Sequence, residues 1–166
     1  MGNASIIPYK KNVYLCSFRE FSYSLTDAGY KTKFGFASKY GSYFELLNKD
    51  FKHSYRKFKS IDIVNENEHN IRLDDGRLSI WNDEMYFSTT RIIDKKHFNY
   101  TVFKITDSNW TISLLPVFAS SQEMGFNQVE KNWMPIPDKP FKMIYEINPI
   151  SGCRIVDLTD GTIQNI

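Results

Sequence analysis

Short runs of alternating apolar and polar residues, cut off by Asn, Asp, Gly, Pro or Ser, dominate this chain, and helical periodicity is nearly absent. Alternation with period two sends successive side chains to opposite faces of a pleated strand. The sharpest case is Leu73 to Ile92, LDDGRLSIWNDEMYFSTTRI, in which RLSIW and EMYFSTT flank Asn82 and Asp83. Two such runs around a tight polar step predict a hairpin. SII and NVYLCSF likewise flank PYKKN, YTVFKIT is followed by TISLLPVF, and KMIYEI is followed by CRIVDL. The helix candidates are short, at Ser120–Met124 and Glu66–His69. Many short strands with tight turns predict an all-β sandwich, barrel or propeller.

An internal repeat narrows that choice. Three times a polar opener precedes a short apolar strand, a tight turn and a second, aromatic strand: NASIIPYKKNVYLCSF, DDGRLSIWNDEMYFSTT and EKNWMPIPDKPFKMIYEI. Between them lie further strand pairs, enough for four-stranded antiparallel blades, so a β-propeller is favoured within one domain spanning residues 1–166. The innermost strand of each propeller blade runs beside a central channel, and the residues opening those strands meet at one end of the axis. That geometry predicts a shared pocket formed by Asn3, Asp74, Asp75, Arg77, Glu130, Lys131 and Asn132, with Arg19 at the far end of its hairpin strand as an addition. Asp, Asn and Gly are also what ordinary turns use. Arg77, directly before LSIW, is a poor turn residue, and there the pocket reading is stronger.

Composition removes several other classes. Lys plus Arg is 21 and Asp plus Glu is 19, so a net charge of +2 predicts neither nucleic-acid nor membrane binding by field alone. Aromatic residues make up 16% of the chain; they suit half-buried strands and also line sugar-binding clefts. Cys16 and Cys153 show no CxxC spacing, which fits a reducing compartment. His53, His69 and His97 form no zinc-ligand pattern, and no metal or resident cofactor is expected. No apolar run of ~20 residues and no signal-peptide core is present, so a cytoplasmic location is expected. MGNASI has Ile6 where a myristoylation signal wants Ser or Thr, and the Asn-x-Ser/Thr triplets at Asn3, Asn99 and Asn109 have no secretory context.

The three repeated segments resemble the five-bladed β-propeller carbohydrate-active proteins, a group that includes mannoside phosphorylases, β-mannosyltransferases and glycosidase-like propellers. Asn3-Ala4-Ser5-Ile6, with Arg19 in SFREFSY, resembles their N-P-S-I pattern and its arginine-bearing strand. Asp74-Asp75-Gly76-Arg77-Leu78, followed by IWNDEMYFSTT, resembles E-D-P-R-L followed by Y-x-S-x-T. Glu130-Lys131-Asn132-Trp133 with MPIPDKPFKMIYEINP resembles E-K-N-W, a Pro-containing turn and a closing strand. The resemblance implies an axial pocket holding a sugar, with inorganic phosphate or a sugar phosphate as a further substrate in the phosphorylases. It implies that Asp75 passes a proton to the glycosidic oxygen, and that Arg77 and Lys131 bind sugar or phosphate. Asn132 would hydrogen-bond hydroxyls, and Asn3, Arg19, Asp74, Glu130 and Trp133 would complete the substrate-binding set.

The chain departs from the pattern at Asp74, which stands where the family has Glu, and at Gly76 and Ala4, which replace prolines. Gly76 is expected to loosen the backbone that aims Asp75. Five blades need on the order of 230 residues, and this chain supplies about three and a half blades' worth. Both a propeller enzyme and a shortened, non-catalytic sugar-binding or accessory domain fit these features. An incomplete propeller exposes strand edges that invite self-association or a larger-chain context. Trp81, Tyr86, Trp133, Ile144 and Tyr145 are expected mostly to pack between blades, with Trp133 the first among them to reach the pocket.

Overall fold

Asn82 and Asp83 both adopt positive φ, 52° and 61°, the backbone of the two-residue hairpin turn whose twist matches that of its strands. Around them β8 (Arg72–Trp81) pairs antiparallel with β9 (Glu84–Ile92), as the alternation predicts. This computed structural model describes residues 2–20, 23–26, 29–32, 41–51, 53–58, 60–64, 72–92, 98–109, 111–120, 133–150 and 152–166. The described residues are all-β; the helix candidates at 66–69 and 121–124 fall outside them. None of them forms a helix long and apolar enough to cross a membrane.

The first sheet has the order β1 (Gly2–Lys10), β2 (Val13–Glu20), β5 (Gly41–Asn48), β6 (His53–Lys57). A separate ribbon, β3 (Tyr23–Thr26) with β4 (Gly29–Thr32), lies between β2 and β5 in the chain. The second sheet runs β8, β9, β10 (Phe98–Ser108), β11 (Thr111–Ala119) and ends on β7 (Ser60–Ile63). The third is β12 (Met134–Pro135), β13 (Lys142–Asn148), β14 (Gly152–Asp157), β15 (Ile163–Asn165). Among the described residues every pairing is antiparallel except β7 with β11, which is parallel and departs from the expected all-antiparallel blades. Among the described residues no strand pairing joins the third sheet to the first.

Each of the three larger sheets has the strand of a repeated segment at one edge: β1, which contains Asn3, β8, which contains Asp74 and Asp75, and β12, which comes just after Glu130-Lys131-Asn132 in the sequence. Edge strands carry unpaired backbone groups, and β8 finds its partners in neighbouring sheets. Its Leu78 N–H donates to Ser5 Oγ at 2.9 Å, and its Leu73 carbonyl accepts from Ser42 Oγ at 3.2 Å. On the other side the Trp81 indole donates to the Ile136 carbonyl at 3.3 Å.

The second sheet is buried on both faces, following the alternation along its strands. Leu78, Phe87, Phe103 and Ile105 pack with Ile7, Leu15, Phe44 and Leu46 of the first sheet, Phe44 meeting Phe87 edge-on at 5.0 Å. Trp81, Tyr86, Tyr100 and Val102 pack with Trp133, Met143 and Val156 on the opposite side. Each large side chain buried this way contributes on the order of 1.5–3 kcal/mol.

The expected PYKKN turn is shorter in the structure. Only Lys11 and Asn12 form it, with Asn12 at φ 61°, while Pro8 sits inside β1 opposite Tyr14. Pro is tolerated there because β1 is an edge strand and a register shift follows between Pro8 and Lys10.

Candidate functional site

Asp74, Asp75 and Gly76 lie within β8 and not in a turn before it, a correction to the expected strand entrance. The register places Asp74 opposite Thr90 and Arg77 opposite Ser88, so Asp75 and Gly76 together face Thr89 alone. This is a β-bulge, which kinks a strand and re-aims its side chains. Asp75 takes φ 52°, a left-handed conformation that Asp tolerates better than most residues. Thr89 Oγ1 fastens the bulge by donating to the Asp74 carbonyl at 2.7 Å, and Ser88 Oγ donates to the Arg77 carbonyl at 3.3 Å.

Gly76 does not loosen this backbone. It is buried, and a Cβ there would lie 2.1 Å from Phe87 Cζ and 2.2 Å from Cε2. The missing side chain lets β8 close onto the Phe87 ring, so Gly76 is a packing requirement.

Arg19 bridges the two acids. Its Nη1 forms an ion pair with Asp74 and donates to Asp75 Oδ1 at 3.1 Å. The side chains of Arg19, Asp74 and Asp75 are 12%, 23% and 18% exposed, so the cluster is half-buried and only weakly screened. The β1–β2 hairpin explains the meeting: Arg19 registers with Gly2, which returns it to the end of the first sheet where β1 begins. Burial raises the Asp74 carboxyl above its ordinary 3.8; the Arg19 charge opposes that rise and the Asp75 charge adds to it.

Arg77, two positions further along β8, is partly buried and belongs to no ion pair among the described residues. Its charge is felt at Tyr100, whose hydroxyl burial pushes far above the usual tyrosine range. The Tyr100 hydroxyl donates to the Trp133 carbonyl at 2.9 Å, and the two rings stack with centroids 4.5 Å apart. Trp133 is 0% exposed and held between Tyr100 and Tyr145 as core, the packing role expected of it, and its ring does not reach a solvent-open pocket.

The structure thus brings Arg19, Asp74 and Asp75 into contact, with Arg77 next to them along β8. Of Asn3 only the backbone, in β1, is described, and Glu130, Lys131 and Asn132 lie outside the described residues. Sequence reasoning missed Thr89, Ser42 and Tyr100 as supports of the bulge and its surroundings. Ser88 lay within the Y-x-S-x-T match, but nothing local marked its bond to Arg77. Among the described residues no three His, Cys, Asp or Glu side chains gather in a way that could hold a metal ion. The chain matches no protein-family model, no curated protein and no solved structure.

Proposed function

We propose that this chain is a carbohydrate-active protein of the β-propeller type, binding a sugar or sugar phosphate beside Asp74, Asp75 and Arg77. The single observation that carries the reading is the bulge in β8. It holds Asp75 at φ 52° against Arg19 and leaves Arg77 without a described acidic partner. Backbone held in a sparsely populated region and bulges in strands both concentrate at functional sites. Three sheets in sequence, each with the strand of a repeated segment at one edge, support the propeller reading. The sugar class follows the resemblance of the three motifs to mannoside-active propellers. Association through the outer strand edges, with a second copy or a longer chain, belongs to the same proposal.

In the catalytic form of this reading Asp75 protonates the glycosidic oxygen, and Arg77 and Lys131 hold sugar hydroxyls or phosphate. Arginine suits the phosphate because its planar fork offers paired donors. A second reading, a binding module without turnover, is favoured by the Arg19–Asp75 contact. Asp75 Oδ1 already accepts from the Arg19 guanidinium, so that oxygen is not free to face a glycosidic bond.

Calorimetry with mannose 1-phosphate and short mannosides, followed by product analysis with and without phosphate, tests both. Arg77→Ala is expected to weaken binding by roughly 1.5–3 kcal/mol, about one to two decades in Kd. Asp75→Asn separates the readings: a catalytic Asp75 predicts lost turnover with binding kept, since proton transfer supplies ~10²–10⁴-fold in rate. A binding module predicts no turnover in either protein. Wild-type protein that binds none of these ligands sinks the sugar reading.

A further inference from the structure

A concave site lies at the end of the first two sheets opposite Arg19, Asp74 and Asp75. Gly2 pairs with Arg19 at one end of the first hairpin and Lys10 with Val13 at the other, and the β10–β11 turn extends past the Asn82–Asp83 turn at that same far end. There a cavity of about 360 Å³ opens between the sheets, within the roughly 300–1,000 Å³ of small-molecule sites. Val13, Leu46 and Phe58 give it an apolar wall, and Tyr9, Lys10, Asp107 and Asn109 give it a polar one.

The polar wall has a definite order. Tyr9 Oη donates to Asp107 Oδ2 at 2.5 Å, while Lys10 Nζ stands 4.8 Å from the centroid of the Tyr9 ring. The tyrosine therefore acts as a spacer, with a cation over its ring and a carboxylate at its hydroxyl. Among the described residues neither Lys10 nor Asp107 belongs to an ion pair, although both line the same space. Opposite charges held apart beside an apolar wall are complementary to a molecule that carries both signs and an apolar group.

We propose that this cavity binds a small zwitterion with an apolar side chain, of the kind represented by free leucine or phenylalanine. The ligand ammonium donates to the second oxygen of Asp107, and its carboxylate accepts from Lys10 and from the Asn109 amide. The side chain lies on Val13, Leu46 and Phe58. A neutral sugar uses neither charge, and a simple anion is repelled by Asp107. The site is independent of the sugar reading, which rests on residues at the other end of the sheets.

Calorimetry on the full chain with leucine, phenylalanine, leucinamide and N-acetyl-leucine tests the proposal. Leucine or phenylalanine is expected to bind in the micromolar to low millimolar range. Removing either ligand charge should weaken binding roughly ten- to a hundredfold, the loss expected for one charge-assisted hydrogen bond. Asp107→Asn and Lys10→Gln should each do the same, and leucinamide, already lacking its carboxylate, should lose nothing further in Lys10→Gln. Lys10 and Asp107 are exposed, so thermal melts of both variants should stay near wild type. If Asp107→Asn fails to fold, Lys10→Gln with the two derivatives still decides the matter. Absence of leucine and phenylalanine binding up to 10 mM (about 2.7 kcal/mol), or binding indifferent to Lys10→Gln, overturns the proposal.

Discussion

Arg19 and Asp75 meet at 3.1 Å across the boundary between the first and second sheets, although 56 positions separate them in sequence. The contact locks the β1–β2 hairpin to the bulge of β8, and Asp74 shares the same guanidinium.

Removing that guanidinium leaves two half-buried carboxylates facing each other without their cation. Arg19→Gln should therefore destabilise the fold by about 2–3 kcal/mol, since deleting one partner of a buried charge cluster costs more than an exposed pair contributes. In a domain of this size that corresponds to a Tm lowered by roughly 4–10 °C. A melt within one degree of wild type shows the cluster to be energetically idle.

The raised carboxyl of Asp74 makes stability depend on pH with a definite sign. Its folded value lies above the unfolded one, so the folded state binds the proton more tightly. Its stabilising contribution is full below the ordinary value of 3.8 and is lost as pH rises through the raised folded value. Asp74→Asn removes this dependence, so the variant should gain on wild type across that interval and then hold its gain. Urea midpoints measured for both proteins from about pH 3.5 to 7 give the difference curve; parallel curves contradict the assignment.

Gly76→Ala should be costly although only one methyl is added. The new Cβ meets Phe87 Cζ at 2.1 Å, and Phe87 is fully buried against Phe44, so the ring could yield only by disturbing the core. Overpacking of this kind costs about 1–3 kcal/mol. Phe87→Leu should relieve part of it, and the double variant should lose less than the two single losses added together. Strict additivity in denaturant titrations rejects the close-approach explanation.

Trp81 and Trp133 are 1% and 0% exposed and sit in one aromatic cluster, Trp81 against Tyr86 and Phe141 and Trp133 against Tyr100. Their replacement by Ala should therefore cost similar amounts, about 3–5 kcal/mol each. Thermal melts that rank Trp81→Ala well above Trp133→Ala would restore the expectation that Trp133 faces a pocket.

Much of the secondary structure was legible from residues alone because its causes are local. Asn82 and Asp83 accept positive φ, and the flanking runs alternate with period two, so β8 and β9 follow from a dozen neighbouring positions. The same logic exposes the other hairpins and the all-β class. It fails where the local signal is weak: β5 reads GSYFELLN, with two adjacent leucines breaking the alternation, and β7 has four residues and a parallel partner far along the chain.

What residue patterns could not supply is depth and partnership. That Asp75 lies in a bulge, not a turn, depends on a register set by pairing with Thr90 and Ser88. That Gly76 is required for close packing depends on the Phe87 ring on the neighbouring strand. That Arg19 joins the acids depends on a hairpin folding its end back beside Gly2 and on two sheets meeting face to face. Local chemistry decides which residues form strands and turns. Long-range packing decides which charges share one guanidinium, because burial and register belong to the whole assembly of sheets and to no short stretch of the chain.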